Sequence, residues 1–260
     1  MGRYLIGSGQ RVLVLIPARY ASSRFPGKPL CQIANKSMIE WVFSHCSETM
    51  KLTGKTAPSF DVCVVTDHDK IEQEVKSFGG EVVRVDDDVP SGSERIELAY
   101  KRFFANGNYD LIINVQGDEP LFRKEDLVKL ASFHMESNYD IVTMVNKKTN
   151  LEEIENPNIV KVIFNEDNGR CHYFSRSPIP FGRNEVIPFW FSHVGVYSYR
   201  PQALLDFCKR PQGFYEKLES LEQLRALEMG LTIGALETKK KFIGVDHPAD
   251  IKKLVGVLGE

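Results

Sequence analysis

Short apolar runs alternate with helical patterns through the first half of the chain. The apolar runs predict strands at residues 12–17, 60–65, 81–85, 111–115 and 141–145. The segments between them predict helices at residues 38–50, 70–78, 94–104 and 124–135. Alternation of strands and helices is typical of a parallel sheet with helices on both faces. We therefore expect an α/β fold with a doubly wound, mostly parallel sheet.

The pattern changes after about residue 150. Apolar segments at residues 159–164 and 170–174 flank the turn sequence Asn-Glu-Asp-Asn-Gly, which predicts an antiparallel hairpin. A proline-rich stretch follows at residues 177–188, and then a strand at residues 194–199. A helix at residues 218–229, a strand at residues 231–236 and a helix after Pro248 return to the parallel pattern. We expect one domain over residues 1–260, with residues 154–215 as a small inserted α+β subdomain.

Composition narrows the class of protein. The 260 residues are 42% hydrophobic and carry a net charge of −2, with acids and bases interspersed. This balance argues against a nucleic-acid-binding stripe or a membrane-attracted face. No segment approaches the about 20 apolar residues that span a bilayer. The five cysteines are widely spaced and odd in number, which favours reduced thiols, and the six histidines lack zinc spacing. We expect a soluble cytoplasmic protein.

Three cations follow the first predicted strand, in a loop that contains glycine, serine and proline. They are Arg19, Arg24 and Lys28. Ligands bind at the carboxyl ends of strands in open α/β sheets, and several cations there favour a polyanion such as a nucleoside triphosphate. The loop is not a Walker loop, because Pro29 follows Lys28 and no glycine stands five residues before Gly27. The alternative is a solvated surface loop with unpartnered charges.

The predicted strand at residues 111–115 delivers a second polar group to the same edge of the sheet. Gln116, Gly117, Asp118 and Glu119 follow it directly. A carboxylate beside triphosphate-binding cations is the expected ligand for Mg²⁺, which binds through one or two carboxylates plus substrate phosphates. The alternative is that Asp118 caps a turn before Pro120.

Three further polar motifs have two interpretations each. Asp246 is a candidate second carboxylate, but Asp246 or His247 also suits the N-cap of the last helix. Ser91 and Glu94 have capping-box spacing, and a helix start that contains glycine also offers free backbone N–H groups. The acidic run at residues 86–88 is either a glycosyltransferase-type metal motif or a solvated loop.

In the second half, isolated polar residues stand among apolar ones. Considered singly, Arg176 is explained as an arginine at a hairpin end, and His193 beside Tyr197 as a satisfied core histidine. The segment that contains Glu222 and Gln223 is explained as an ordinary amphipathic helix.

Considered together, these motifs match one family in order along most of the chain. The matching segments are residues 16–30, 65–67, 91–95, 114–120, 156–158, 160–161, 173–176, 179–180, 193–197, 221–225 and 244–246. On these segments the chain resembles the 3-deoxy-D-manno-octulosonate (Kdo) cytidylyltransferase family, also called CMP-Kdo synthetases.

The resemblance implies the reaction of CTP with Kdo to give CMP-Kdo and pyrophosphate, which activates the sugar acid for lipopolysaccharide biosynthesis. It also implies a homodimer, with the inserted subdomain supplying much of the contact and part of the sugar site. It implies that the triphosphate is bound by Arg19, Arg24 and Lys28, and the cytidine by Ser91, Gly92, Arg95 and Gln116. It implies that Mg²⁺ is held by Asp118 and Asp246, and that the sugar acid is bound by Arg176, His193, Tyr197, Glu222 and Gln223.

The chain departs from the family pattern in several places. Pro90 stands where glutamine is usual, and His247 where threonine is usual. The short span between Arg183 and His193 borders the implied sugar site, and the sequence Phe181-Gly182-Arg183 is similar to that of relatives that use 8-amino-Kdo. Two other functions stay open, a metal-dependent glycosyltransferase that uses Asp86–Asp88 and a nucleotide-sensing module without turnover.

Overall fold

A computed structural model gives the fold of the chain. The structure describes residues 9–21, 25–52, 58–184, 186–240, 242, 244–245 and 248–258, with residues 248, 249 and 253 described by backbone alone. Contacts divide the chain into two units. The first comprises Met1–Ser132 and Phe242–Glu260, and the second comprises Phe133–Lys241.

The elements alternate as the sequence pattern predicts. The strands are β1 Arg11–Ala18, β2 Gln32–Ile33, β3 Lys36–Ser37, β4 Ser59–Thr66, β5 Val82–Arg84, β6 Leu111–Asn114, β7 Ile141–Lys148, β8 Lys161–Phe164, β9 Cys171–Ser175, β10 Trp190–Tyr199 and β11 Ile233–Glu237. The α-helices are α1 Met38–Ser47, α2 Asp69–Ser77, α3 Gly92–Ala99, α4 Lys124–Glu136, α5 Pro201–Lys209, α6 Phe214–Glu219, α7 Glu222–Glu228 and α8 Pro248–Leu258.

The sheet of the first unit is parallel and runs in the order β6-β1-β4-β5. Its middle strand β1 is an almost uninterrupted buried apolar run, as expected for a strand covered on both faces. Val14 of β1 stands beside Val62 of β4 and Ile113 of β6. This register brings the carboxyl ends of β1, β4 and β6 to one edge, and the predicted α/β class with a mostly parallel sheet is confirmed.

A small hairpin, β2 with β3, follows β1 and was not predicted. It leads into α1, which begins where Ser37 Oγ accepts a hydrogen bond from the Glu40 amide, 3.3 Å away. The hairpin, α1 and α8 share one apolar cluster with Val245, whose side chain is fully buried. The cluster is formed by Ile33, Met38, Leu121, Val245, Leu254 and Leu258.

The second unit is built mainly on antiparallel strands. Strand β10 pairs antiparallel with β7 on one side and with β8 on the other, and β8 forms the predicted hairpin with β9. Strand β11 pairs parallel with β7. The unit contains the predicted segment 154–215 and extends beyond it in both directions.

One helical prediction is corrected, and one helix was not predicted. The helix expected at residues 218–229 is wrong as a single element, because Ser220 adopts a left-handed conformation with φ 51° between α6 and α7. A non-glycine residue in this conformation ends a helix. The helix α5, which begins at Pro201, was not predicted at all.

None of the described helices has the length and apolar run that a bilayer crossing needs. None of the five cysteines, all of which lie in the described part of the chain, forms a disulfide.

Candidate active site

The structure brings Lys28 and Asp118 into direct contact. Lys28 Nζ donates to Asp118 Oδ2 at 2.5 Å and to the Val245 carbonyl oxygen at 2.8 Å. Gly27 makes this reach possible, because it takes a left-handed conformation with φ 69° and its amide donates to the Tyr20 carbonyl at 2.9 Å. A loop cation after β1 therefore meets a carboxylate after β6, at the edge where ligands bind in such sheets. We call Lys28, Asp118 and Val245 the Lys28 cluster.

Val245 holds the Lys28 cluster from a third segment of the chain. Its side chain is fully buried in the apolar cluster described above. Its amide donates to the Asp118 carbonyl at 3.3 Å, while its own carbonyl accepts from Lys28. The segment just before position 246 is thus fixed beside Asp118. No polar side chain marks Val245 in the sequence, and only its position next to Asp246 drew attention to this segment.

The ends of β1 and β6 approach each other closely, and two glycines permit this. A Cβ on Gly117 would stand 3.0 Å from the Pro17 carbonyl oxygen. A Cβ on Gly92 would stand 3.2 Å from Pro17 Cγ and 3.5 Å from Gln116 Oε1. Three of the predicted site residues, Gly92, Gln116 and Asp118, therefore lie at the same strand ends.

Arg19 is exposed just after β1. Within the described residues its guanidinium makes only two long hydrogen bonds, from Nη1 to the Val89 carbonyl at 3.4 Å and to the Pro90 carbonyl at 3.5 Å. Such weak contacts leave most of its N–H donors available to an anion from solution. Arg19 thus lies beside the loop that leads to Ser91.

Ser91 caps helix α3, as its spacing predicts. Its Oγ accepts from the Glu94 amide at 3.3 Å, so the capping interpretation is confirmed. The cap does not exclude a ligand role, since Gly92 opens the helix beside Gln116. The predicted role of these residues toward cytidine stays a prediction.

Arg95 is buried beneath the loops rather than exposed to a ligand. Its side chain is 2% exposed, pairs with Asp67 Oδ2 at 3.0 Å and donates to the Val85 carbonyl. Burial lowers the pKa of Arg95, and the pairing with Asp67 opposes this shift. Asp67 Oδ1 also accepts from the Tyr20 amide at 3.4 Å. Arg95 therefore ties together the loops that follow β1, β4 and β5.

Two carboxylates of the acidic run at residues 86–88 are paired with arginines. Asp86 pairs with Arg84 at 2.6 Å, and Asp87 pairs with Arg102 at 2.6 Å. The bond from Arg102 holds the pKa of Asp87 below its usual range. These pairs neutralise the carboxylates that a glycosyltransferase-type metal motif would need, and they favour the interpretation as a surface loop.

Asp118 is the described carboxylate best suited to Mg²⁺. It lies at the sheet edge, its side chain is 30% exposed, and it already accepts a cation, the Lys28 ammonium. The described residues contain no group of three or more His, Cys, Asp or Glu side chains arranged for a metal. Mg²⁺ needs only one or two carboxylates when substrate phosphates complete its ligands, so the residues present fit this ion.

In the second unit, His193 contacts a buried threonine. His193 Nε2 lies 2.9 Å from Thr143 Oγ1, and the Thr143 hydroxyl lies 2.8 Å from the Val196 carbonyl and 3.0 Å from the Val194 carbonyl. Burial lowers the pKa of His193 to about 3, so the ring is neutral. Because Thr143 donates its single proton to a carbonyl, it accepts from Nε2–H, and Nδ1 is left as an acceptor. His193 can therefore accept a hydrogen bond from a ligand hydroxyl.

Tyr197 packs beside the same histidine and bonds to Gln223. The His193 and Tyr197 ring centroids are 5.3 Å apart, and the Tyr197 hydroxyl donates to Gln223 Oε1 at 3.1 Å. Burial and the nearby Glu222 charge raise the pKa of Tyr197, so it stays a neutral donor. We call Thr143, His193, Tyr197 and Gln223 the His193 cluster. Thr143 was missed, although a polar residue inside the apolar run of β7 was a usable signal.

Arg176 follows β9 and is held mainly by backbone oxygens. Nε donates to the Glu219 carbonyl at 2.6 Å, Nη1 to the Pro157 carbonyl at 2.9 Å and Nη2 to the Ser220 carbonyl at 3.4 Å. These bonds use three of the five guanidinium N–H donors, and among the described residues no partner is found for the other two. Arg24 and Asp246, the two other predicted site residues, lie outside the described residues.

Comparisons with known proteins agree on one chemistry. The family model for cytidylyltransferases matches residues 13–237. A 3-deoxy-manno-octulosonate cytidylyltransferase from Cytophaga hutchinsonii is 40% identical over 256 residues, which cover 96% of this chain and 98% of that relative. An 8-amino-3,8-dideoxy-manno-octulosonate cytidylyltransferase from Shewanella pealeana is 40% identical over 244 residues, covering 93% and 96% of the two chains.

A solved structure is similar over nearly the whole chain. It is that of a CMP:2-keto-3-deoxy-manno-octonic acid synthetase complexed with CTP. The TM-score is 0.85 at 34% identity, and the match covers 96% of this chain and 99% of the other.

Proposed function

Since this chain belongs to the cytidylyltransferase family, we propose that it transfers a cytidylyl group from CTP to Kdo or a close 3-deoxy sugar acid. The C2 hydroxyl oxygen of the sugar acid attacks the α-phosphorus, the bond from that phosphorus to the β-phosphate bridging oxygen breaks, and pyrophosphate leaves. The hydroxyl proton passes to solvent. The observation that carries the proposal is the Lys28 cluster, which unites a loop cation and a carboxylate at the end of two parallel strands.

The first task of the residues is to overcome repulsion between two anionic substrates. Arg19 is exposed and makes two long hydrogen bonds to described residues, and Lys28 is the second cation at this edge. Both would bind the triphosphate and stabilise the charge that develops on the departing pyrophosphate. We propose the same role for Arg24. Ser91, Gly92 and Gln116 would hold the cytidine, with Arg95 fixing the loops around them.

Asp118, together with Asp246, would hold Mg²⁺. When bound, this ion neutralises phosphate charge and lowers the pKa of the attacking hydroxyl. Lys28 would then serve the phosphates, since its three ammonium donors are not restricted to a carboxylate.

Residues of the second unit would recognise the sugar acid. Arg176 has two N–H donors left for the carboxylate, and a planar pair of donors suits a carboxylate better than the single point charge of lysine. His193 Nδ1 would accept from a sugar hydroxyl, with Tyr197, Glu222 and Gln223 around it.

We also propose a homodimer formed through the second unit. Several large apolar side chains of this unit are exposed, namely Phe181, Val186, Phe214, Tyr215 and Leu218. Exposed apolar side chains in such number mark a surface for protein contact, and a second copy would cover them by two-fold symmetry. The proposed setting is the cytoplasm, where the activated sugar acid would serve lipopolysaccharide biosynthesis.

The test is pyrophosphate release with Mg²⁺, crossing the four ribonucleoside triphosphates with Kdo and 8-amino-Kdo. We expect that, of the four nucleoside triphosphates, only CTP gives product, and that Kdo is a better acceptor than 8-amino-Kdo. The 8-amino sugar is the second candidate because a relative at 40% identity carries that name. CTP binding without product from either acceptor would replace the proposal by a nucleotide-sensing module. Consumption of a sugar nucleotide in place of CTP would replace it by a glycosyltransferase.

A further inference from the structure

Lys161, at the start of β8, is a buried cation that the proposed reaction does not use. Its side chain is 0% exposed. Its Nζ donates to the Ile159 carbonyl at 2.8 Å, to the Asn156 carbonyl at 3.1 Å and to the Arg176 carbonyl. All three ammonium donors are thus spent on backbone oxygens. Burial lowers the pKa of Lys161, so the fold bears a cost to keep this charge in place.

Arg176, whose carbonyl accepts from Lys161, is also bound by Glu219, the last residue of α6. Its Oε2 accepts from the Arg176 amide at 2.5 Å and from Ser175 Oγ at 2.9 Å. The amide of Arg176 therefore faces an anion and its carbonyl faces a cation. Hydrogen bonds to charged groups are stronger than neutral ones, so the backbone of Arg176 is held from both ends.

The guanidinium of Arg176 is held by the same frame. Its Nε donates to the Glu219 carbonyl, and its Nη1 donates to the Pro157 carbonyl. In the sequence, Pro157 lies between Asn156 and Ile159, whose carbonyl oxygens accept from Lys161 Nζ. The direction of the two remaining N–H donors is therefore set by the segments that Lys161 and Glu219 organise.

Glu219 also connects this frame to helix α7. Ser220 turns the chain with φ 51°, and α7 then begins at Glu222. The next residue, Gln223, accepts from Tyr197 in the His193 cluster. A single short segment thus links Arg176 to the residues proposed to recognise the sugar.

From this arrangement we propose that Lys161 and Glu219 are positioning residues for sugar-acid recognition, which act by fixing the orientation of Arg176 without touching the substrate. The proposal rests on the proposed function. It predicts that loss of either charge weakens binding of the sugar acid while CTP binding is preserved.

The test compares the full-length variants Lys161→Met and Glu219→Gln with the wild type. Lys161→Met keeps the length of the side chain and removes its charge, and Glu219→Gln keeps the shape of the carboxyl group. We expect the KM for the sugar acid to rise about tenfold in each, with the KM for CTP within about twofold and kcat at saturating sugar acid within about threefold. Lys147→Met is the matched control, because Lys147 pairs with Glu166 at 2.8 Å on the surface of the same unit, and it should leave both KM values unchanged.

Circular dichroism and thermal melting show whether each variant is folded. If Lys161→Met fails to fold, Glu219→Gln carries the test by itself. An unchanged KM for the sugar acid in a folded variant overturns the proposal, and so does an equal rise in both KM values, which is the mark of a merely structural role. A wild type that makes no product from CTP and either sugar acid overturns the proposed function instead.

Discussion

The Lys28 cluster of the first unit and the surroundings of Lys161 in the second unit differ in how far their charged groups are buried. In the first unit, Lys28 and Asp118 are 16% and 30% exposed, and the exposed Arg19 makes two long hydrogen bonds, at 3.4 and 3.5 Å. In the second unit, Lys161 is fully buried and Tyr197 and Gln223 are nearly so. Lys161 Nζ donates to backbone carbonyls, and the Tyr197 hydroxyl donates to Gln223 Oε1.

This difference corresponds to the ligands proposed for the two regions. A triphosphate brings several charges and leaves as pyrophosphate, so its partners must exchange one ionic contact for another during the reaction. Loops after parallel strands allow this, because their side chains are only partly packed. A sugar acid must be distinguished by its shape and hydroxyl pattern, which requires donors and acceptors fixed before binding. Antiparallel strands with buried polar pairs supply that order.

The largest expected effect belongs to Asp118, and full activity without its carboxylate would contradict the role proposed for the first unit. Asp118→Asn removes the negative charge of the Lys28 cluster and keeps the shape of the side chain. We expect kcat to fall about 100-fold or more, with the Kd for CTP within about threefold, because the carboxylate acts mainly in the transition state. The measurements are pyrophosphate release and calorimetry with CTP.

Asp86→Asn is the control for that experiment. Asp86 pairs with Arg84 and belongs to the alternative metal motif, so its kcat should stay within about twofold of the wild type. A near wild-type kcat for Asp118→Asn at saturating Mg²⁺, or a larger loss for Asp86→Asn, contradicts the assignment.

Arg176→Ala tests whether the second unit recognises the carboxylate of the sugar acid. We expect its KM for the sugar acid to rise about 30-fold and its KM for CTP to stay within about twofold, since one charge-assisted contact is lost. The control is Arg170→Ala, at an exposed arginine that precedes β9 as Arg176 follows it. This change should alter neither the KM for the sugar acid nor the KM for CTP. An equal rise in both KM values rejects the division of tasks between the units.

The buried histidines of the second unit should make the fold sensitive to acid. Burial lowers the pKa of His134 from 6.5 to about 4, and its Nε2 contacts the Tyr139 carbonyl at 3.0 Å. Between these pH values the unfolded chain binds more protons than the folded one, so stability rises with pH and is lost on acidification. We expect His134→Gln to flatten this loss by about 1.4 kcal/mol per pH unit. Urea unfolding across that range measures it.

The control for that experiment is His172→Gln, because His172 is exposed and this change leaves both ring hydrogen bonds of His134 intact. Its slope of stability against pH should follow the wild type. Identical slopes for His134→Gln and the wild type would show that His134 is not held neutral by the fold.

The smallest expected effect belongs to Tyr197→Phe. This change removes the hydroxyl that donates to Gln223 and leaves the ring in place. We expect the KM for the sugar acid to rise about fivefold, the effect of one neutral hydrogen bond. Tyr173→Phe, at a partly exposed tyrosine of β9, is the matched control. A CTP effect in Tyr197→Phe would show that the His193 cluster also serves the nucleotide.

The sequence anticipated most strands, because a buried strand needs a run of apolar residues whatever surrounds it. It did not anticipate the break at Ser220, a non-glycine residue in the left-handed conformation that separates α6 from α7. It also did not anticipate α5.

Among the candidate site residues, Lys28 and Asp118 could be predicted to meet, since both follow parallel strands of one sheet. Val245 could not, because it contributes a backbone carbonyl, and every residue type carries one. Arg95 was recognised as notable, but its burial against Asp67 depends on loops that are distant in sequence.

Residue types and their order along the chain determined the α/β class, the cations after β1, the carboxylate after β6 and the family. The tertiary structure alone decided which charged groups stay exposed and which are buried in hydrogen bonds within the protein. Lys28 and Lys161 carry the same side chain, yet one contacts a partly exposed carboxylate and the other fills a nest of carbonyl oxygens. The reason is physical, because the effect of a charge depends on its burial and on its partners, and both are set by residues far away in the sequence.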